Sequence, residues 1–210
     1  MTFPPSSPTS IDPSSLFPPA PECVSRRIEP DQLWPEFKRL WDQIGQRFFK
    51  VERLQAYAEP GDPSYEAFLR GDMESAVAHL EERIGGEAEL FLDMCRRHFQ
   101  YVRLRMVELP LTPYLRYEFK SYPIGARYGQ RVVVLNLEDG DNRATFSDVG
   151  ELMVFDDFAC MIHDYDAEGL MKGTWIIEGK DGVAPYVELV NRLEERSVPL
   201  GVAERNLGLR

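Results

Sequence analysis

At Tyr101 the spacing of apolar residues changes from the helical period of about 3.6 to the strand period of about 2. Before that point Leu33, Phe37, Leu40, Trp41, Ile44 and Phe48 recur at steps of three and four, which predicts one amphipathic helical stripe. After it, "YVRLRMVEL" alternates, with Val102, Leu104 and Met106 on one face and Arg103 and Arg105 on the other. A chain that needs both periods is an α/β protein whose helices and strands share one core.

The punctuation agrees with this division. In "GDPSYEAFLRGD", Asp62 is placed to cap a helix that begins at Pro63 and stops at Gly71. Asp72 is placed to cap the next, which ends at Gly85-Gly86, and a further helix runs from about Glu87 to His98. Thr112 and Pro113 announce a helix over "LTPYLRYEFK". "QRVVVLNL" predicts a strand, "EDGDNRATFSD" a polar loop, and "ELMVFDDFACMIHDYDAEGLMKGTWIIE" a three-stranded meander. "GVAPYVELVNRLEER" closes the pattern with an amphipathic helix.

Eight of the 16 prolines fall within residues 1–30, where fixed φ angles and missing donors oppose helix and central strand alike. That stretch is expected to be a disordered tail, with a single α/β domain over 31–200 and a short tail over 201–210. Within the domain, 31–99 reads as helical and 100–200 as strand-rich. A net charge of -11 disfavours nonspecific contact with nucleic acid or an anionic membrane. No apolar run approaches the roughly 18 residues of a spanning helix, and the first residues lack a signal-like pattern. Three cysteines without a C-x-x-C fit a reducing compartment, so a cytoplasmic location is expected.

The candidate chemistries narrow quickly. Asp164, Asp166, Glu168 and Gly169 occupy calcium-loop positions, but the twelfth position is Trp175 and the flanks are strand-like. A tight turn is expected there. Cys95/His98 and Cys160/His163 repeat C-x-x-H, yet in a regular strand Cys160 and His163 face opposite sides, so no metal site is expected. There is no nucleophile elbow, phosphate loop or dinucleotide fingerprint, and neither catalytic residues nor a cofactor can be assigned. What remains is "VRLRMVELPLTPYLRYE". Arg103 and Arg105 require partners, either carboxylates such as Glu118 or Glu52 in a structural network, or an anionic ligand held by guanidinium forks.

This stretch resembles an actinobacterial family built on a domain of unknown function, often encoded beside helix-turn-helix regulators. The resemblance spans about Phe48 to Val198. It is carried by "FFKVERLQAY" (Phe49, Glu52, Tyr57), "FLRGD" (Phe68, Gly71), "VRLRMVELPLTPYLRYE" and "VFDDFACMIHDYDAEGLMKG". In the third motif Arg103, Arg105, Pro110, Tyr114, Arg116 and Glu118 stand in family positions. The Pro-rich stretch lies outside the resemblance, and a tryptophan usual in the last helix is missing near Leu193 to Arg196. The element order after Tyr101 is also similar to one half of the phospholipase D fold. The catalytic H-x-K of those enzymes is absent, since His79, His98 and His163 are not followed two residues later by Lys.

Together these readings imply a mixed sheet with flanking helices, preceded by a helical part. The expected function is a non-catalytic regulatory or interaction module that recognises a partner protein, such as a helix-turn-helix regulator, or a small anionic ligand. Its binding residues are expected to be Arg103, Arg105, Tyr114, Arg116 and Glu118. The alternative is an enzyme acting on phosphate esters or nucleotides with the arginines as an anion clamp.

Overall fold

The computed structural model describes residues 13–209. In chain order its first elements are β1 (Arg26–Ile28), α1 (Leu33–Trp41), β2 (Arg47–Glu52), α2 (Pro63–Leu69), α3 (Met73–Gly86) and α4 (Ala88–Arg97). Then come β3 (Gln100–Val107), α5 (Pro113–Glu118), α6 (Ser121–Arg127), β4 (Arg131–Asn136), α7 (Asn142–Phe146) and β5 (Glu151–Phe155). The chain continues with β6 (Ala159–Tyr165), β7 (Met171–Glu178), α8 (Lys180–Glu195), β8 (Val198–Pro199) and α9 (Leu200–Asn206). The strands form one mixed sheet in the order β1-β7-β6-β5-β2-β3-β4-β8. Its central strands β2, β3 and β4 are parallel, and the meander β5-β6-β7 adds to β2 antiparallel. The expected α/β class with a mixed sheet and flanking helices is what the chain adopts.

The expected caps are present. Asp62 accepts from Tyr65 N, Asp72 from Ser75 N and Thr112 from Leu115 N, so each helix start has an orphan donor satisfied. The turn after β6 closes on itself: Asp166 Oδ1 accepts from Glu168 N at 3.2 Å and Leu170 N at 2.8 Å. Gly169 adopts φ +83°, and a Cβ there would lie 2.9 Å from Ala56 O. A glycine is needed at this position because the turn packs directly on the loop that carries Tyr57.

Four features differ from expectation. The helical stripe ends at Trp41, and Phe48 belongs to β2 instead, where Phe49 and Val51 point one way and Phe48, Lys50 and Glu52 the other. Phe48 continues the helical spacing from Ile44 only by coincidence of a four-residue step across Gly45. The structured chain also begins before Asp31. β1 pairs with β7, Ile28 is buried, and Arg26 bridges Glu178 at 2.9 Å. Further upstream the Tyr186 hydroxyl donates to Leu16 O at 3.2 Å, and Phe17 packs edge-on against the same ring. Scattered apolar residues thus dock one by one, which an average over a Pro-rich stretch conceals. The remainder of the expected tail, residues 1–12, lies outside the described residues. At the other end the expected tail is α9, because Leu200, Ala203 and Leu207 fall on one side and join the core. The polar loop after β4 likewise contains α7, anchored by buried Phe146.

The two faces of the sheet differ in kind. One is apolar over its centre, where Phe49, Val51, Leu104, Leu152 and Ile162 pack against Val183, Leu189 and Leu193 of α8, with Arg47 and Arg131 at its end bridging Glu194 of the same helix. The other carries two separate apolar clusters. One is built under α1 and α4 around Trp41, Phe48 and Phe155, the other under α2, α3, α5 and α6 around Leu80, Leu115 and Tyr117. Charged side chains of β2, β3, β5 and β6 occupy the same face.

Candidate ligand-binding cavity

A row of polar residues runs across that second face because the strands align them. Arg105 is the register partner of Glu52, Glu151 of His163, and His163 of Thr174. In the neighbouring row Lys50 pairs with Arg103 and Met153. Above these rows lies a cavity of about 300 Å³, roofed by α3, α5 and α6 and by the Tyr57 loop. That volume is at the lower end of the usual range for small-molecule sites.

The charges in it are matched among themselves. Arg103 forks onto Glu52, Nε to Oε2 at 2.8 Å and Nη2 to Oε1 at 2.7 Å, and its Nη2 also lies 3.5 Å from Glu118 Oε1. Lys50 Nζ sits 2.8 Å from the same Glu52 carboxylate. Arg105 is fully buried. Its Nη1 donates to the Tyr57 hydroxyl at 3.1 Å, its Nη2 donates to Leu54 O and lies 3.3 Å from Glu118 Oε2. Glu151 Oε1 accepts from the amides of Arg53 and Leu54, both at 2.6 Å, and Oε2 accepts from Tyr57 at 2.7 Å. The Tyr114 hydroxyl donates to Glu59 Oε2 at 3.0 Å.

Burial sets the protonation of these groups. It works to raise the Glu52 carboxyl, but Arg103 and Lys50 beside it outweigh that and hold it well below the usual range. Glu118 goes the other way. Burial pushes it up to about 7, with Arg105 opposing and the Glu52 charge adding to the rise. Burial also raises Glu151. His163, buried with Lys50 nearby, is pulled down to about 3 and stays neutral, its Nδ1 2.9 Å from Thr174 Oγ1.

Of the five residues expected at a site, four meet here. Arg103, Tyr114 and Glu118 line the cavity, and Arg105 lies directly behind it. Arg116 does not join them. It is exposed, because on α5 it falls between the buried Leu115 and Tyr117 and faces away from the sheet. The anion-clamp expectation also changes. Both guanidiniums are engaged by carboxylates, the structural partners Glu52 and Glu118, so neither presents an unshared fork to an anion.

The profile described as a domain of unknown function (DUF6879) matches residues 35–202. The chain belongs to that family. No curated protein matches it. Among solved structures it is similar to TrmBL2, an archaeal chromatin protein, at 12% identity and a TM-score of 0.41, covering 83% of this chain and 53% of that one. It is similar to Nuc, a phospholipase D family member from Salmonella typhimurium, at 7% identity and 0.39, covering 77% and 86%. It is also similar to the phosphatidylserine synthase of Haemophilus influenzae Rd KW20, at 13% and 0.41, covering 80% and 37%. This chain thus spans about half of the first and little more than a third of the last, and none of the three transfers an activity.

Within the DUF6879 fold, Lys50, Glu59, Arg83, Glu151, His163 and Tyr165 also stand on the cavity wall, and no local sequence pattern marks them as site residues. Lys50 follows Phe48, the last residue that fits the helical spacing, and no strand pattern marks it. Glu151 and His163 sit on strands of the expected meander, but a polar residue on a half-buried strand normally faces water. Only the roof of helices turns that face into an interior. Cys160, in contrast, points into the apolar face, so the second C-x-x-H pair is divided between the two sides of the sheet. No helix among the described residues is long and apolar enough to cross a membrane.

Proposed function

We propose that this domain is a non-catalytic regulatory module that binds a small polar molecule in the cavity and relays its occupancy to a partner protein. The observation that carries the reading is the ion-pair network of Arg103, Glu52, Lys50, Arg105 and Glu118 beneath a partly open space of ligand size. Such a network has alternative pairings, and a ligand that favours one of them shifts the helices resting on it. The neutral His163 has no carboxylate partner to make it a base, and the arginines are neutralised, which is the arrangement of a binding site rather than of phosphoryl chemistry. A helix-turn-helix regulator as the partner rests on the family resemblance.

The test is a thermal-shift screen of small amines, acids and nucleotides on the full chain and on Met171→Trp, which places an indole at the half-buried cavity rim. Compounds that stabilise the parent are expected to lose their effect on the variant. Equal stabilisation of both proteins would sink the reading. So would turnover of a model phosphodiester that disappears in Arg103→Met, since that result supports the enzyme alternative.

A further inference from the structure

The cavity does not end at its polar wall. It shares Leu33, Lys50, Glu87, Phe91, Tyr101 and Met153 with an adjoining groove of about 280 Å³ between α1 and α4. That groove is apolar, and its outer wall is Trp34, which is 59% exposed and stacks on Phe37 at 5.5 Å. Leu90 and Phe91 form the opposite wall. The result is one continuous site with a charged floor and an aromatic mouth.

The floor leaves two acceptor oxygens of lining residues unengaged. Glu118 Oε2, 3.3 Å from Arg105 Nη2, accepts no hydrogen bond, and neither does Gln130 Oε1, although both residues are more than nine-tenths buried. Both oxygens are acceptors, and both residues line the cavity; the other partnerless atoms nearby are Nε2 of His163 on the same wall and Nε of Arg105, which lies behind it. The buried cations of the wall, by contrast, already touch carboxylates. Five glutamates line the space against Lys50, Arg83 and Arg103. The rings of Tyr57, Tyr114 and Tyr165 meet edge to face in the same wall, at 5.6 and 5.4 Å, and aromatic faces attract cations. An anion entering here must displace a carboxylate from a guanidinium. A donor cation finds an unsatisfied acceptor waiting, and an unmade buried hydrogen bond is costly to leave.

We propose that the site takes an amphiphilic amine, with its ammonium group at Glu118 Oε2 beside the tyrosines and its apolar body in the groove under Trp34. This assignment rests on the reading of the cavity as a binding site and adds the ligand class to it. Lys50 and Tyr101, shared by both compartments, mark the passage between head and body. Binding is reversible and involves no covalent step.

The experiment compares phenylbutylamine with phenylbutyrate, which carry the same apolar body and opposite charges, by titration calorimetry on the full chain. The amine is expected to bind at least roughly tenfold more tightly, a preference of about 1.4 kcal/mol. Glu118→Gln is expected to remove that preference, and Trp34→Ala to weaken the amine by about tenfold while keeping it. Tryptophan fluorescence is expected to change on binding far more in the parent than in Trp34→Phe, because Trp34 alone of the three tryptophans lines the groove, with Trp41 buried behind Phe37 and Phe48. Tighter binding of phenylbutyrate, or an amine preference that survives Glu118→Gln, overturns the assignment. If phenylbutyrate binds and Met171→Trp abolishes it, the cavity reading stands and the amine class alone fails. If neither probe binds, the amine class fails too, and the cavity reading is left to the compounds of the thermal-shift screen.

Discussion

Arg103 and Glu52 are diagonal neighbours on adjacent parallel strands, joined by two hydrogen bonds of 2.8 and 2.7 Å with the Glu52 side chain only 4% exposed. Removing one member leaves the other buried with a diminished partner set. Arg103→Met is expected to cost about 3 kcal/mol, the lower end of the range for a broken buried pair because Lys50 still faces Glu52. Arg105→Met, which leaves Glu118 only the longer 3.5 Å contact from Arg103, is expected to cost about 3–5 kcal/mol. Urea unfolding of each single variant and of Arg103→Met/Glu52→Met measures this. A double variant no more stable than the sum of the singles contradicts a coupled pair.

Glu118 predicts how stability depends on pH. Its proton leaves at about 7 in the fold and at about 4.5 in the unfolded chain, so the fold holds the proton more tightly. The stabilisation is complete below about pH 4.5 and is lost as pH rises through about 7. Glu118→Gln keeps the neutral form. Relative to the parent it is expected to gain on the order of 3 kcal/mol between about pH 4.5 and pH 8. Parallel melting curves at several pH values check this, and a constant difference between the two proteins argues against it.

His163 acts in the opposite sense. Its pKa falls from 6.5 to about 3 on folding, so the unfolded chain takes up the proton first as acid is added. Stability is complete above about pH 6.5 and is lost as pH falls toward about 3. His163→Gln keeps a polar contact for Thr174 without titrating, and is expected to recover roughly 5 kcal/mol of the acid loss. The measurement is the acid-unfolding midpoint. An unchanged midpoint means that His163 is not the neutral buried group described here.

The first strand predicts the effect of truncation. A chain starting at Asp31 lacks β1, leaves the β7 edge unpaired and removes buried Ile28, which is worth about 2 kcal/mol. At about 2–4 °C per kcal/mol for a domain of this size, its melting temperature is expected to fall by roughly 5 °C. Calorimetry of the two chains decides the point, and equal melting temperatures would mean that β1 adds nothing to the fold.

Much of this architecture is written locally. Asp62, Asp72 and Thr112 mark their helices because a cap needs only a side-chain oxygen three residues before an amide. The alternation in "YVRLRMVEL" places Arg103 and Arg105 opposite Val102, Leu104 and Met106, because successive strand residues face opposite sides. Asp166 and Gly169 make their turn from contacts within it and from one positive φ. These features depend on neighbours a few residues away, so the sequence by itself determined them.

The cavity depends on neighbours far along the chain. Glu52 and Glu118 are 66 positions apart, and they share the arginines only because β2 pairs with β3 and α5 folds back over both. Whether Arg103 grips a carboxylate or an anion is decided by what the roof supplies. That roof comes from α3, α5 and α6, whose positions no local pattern encodes. The same holds for β1 and α9, short segments of weak intrinsic preference whose structure comes from β7 and from the core. Their ordering entropy is offset only once the partner surface exists, so tertiary structure alone decided them.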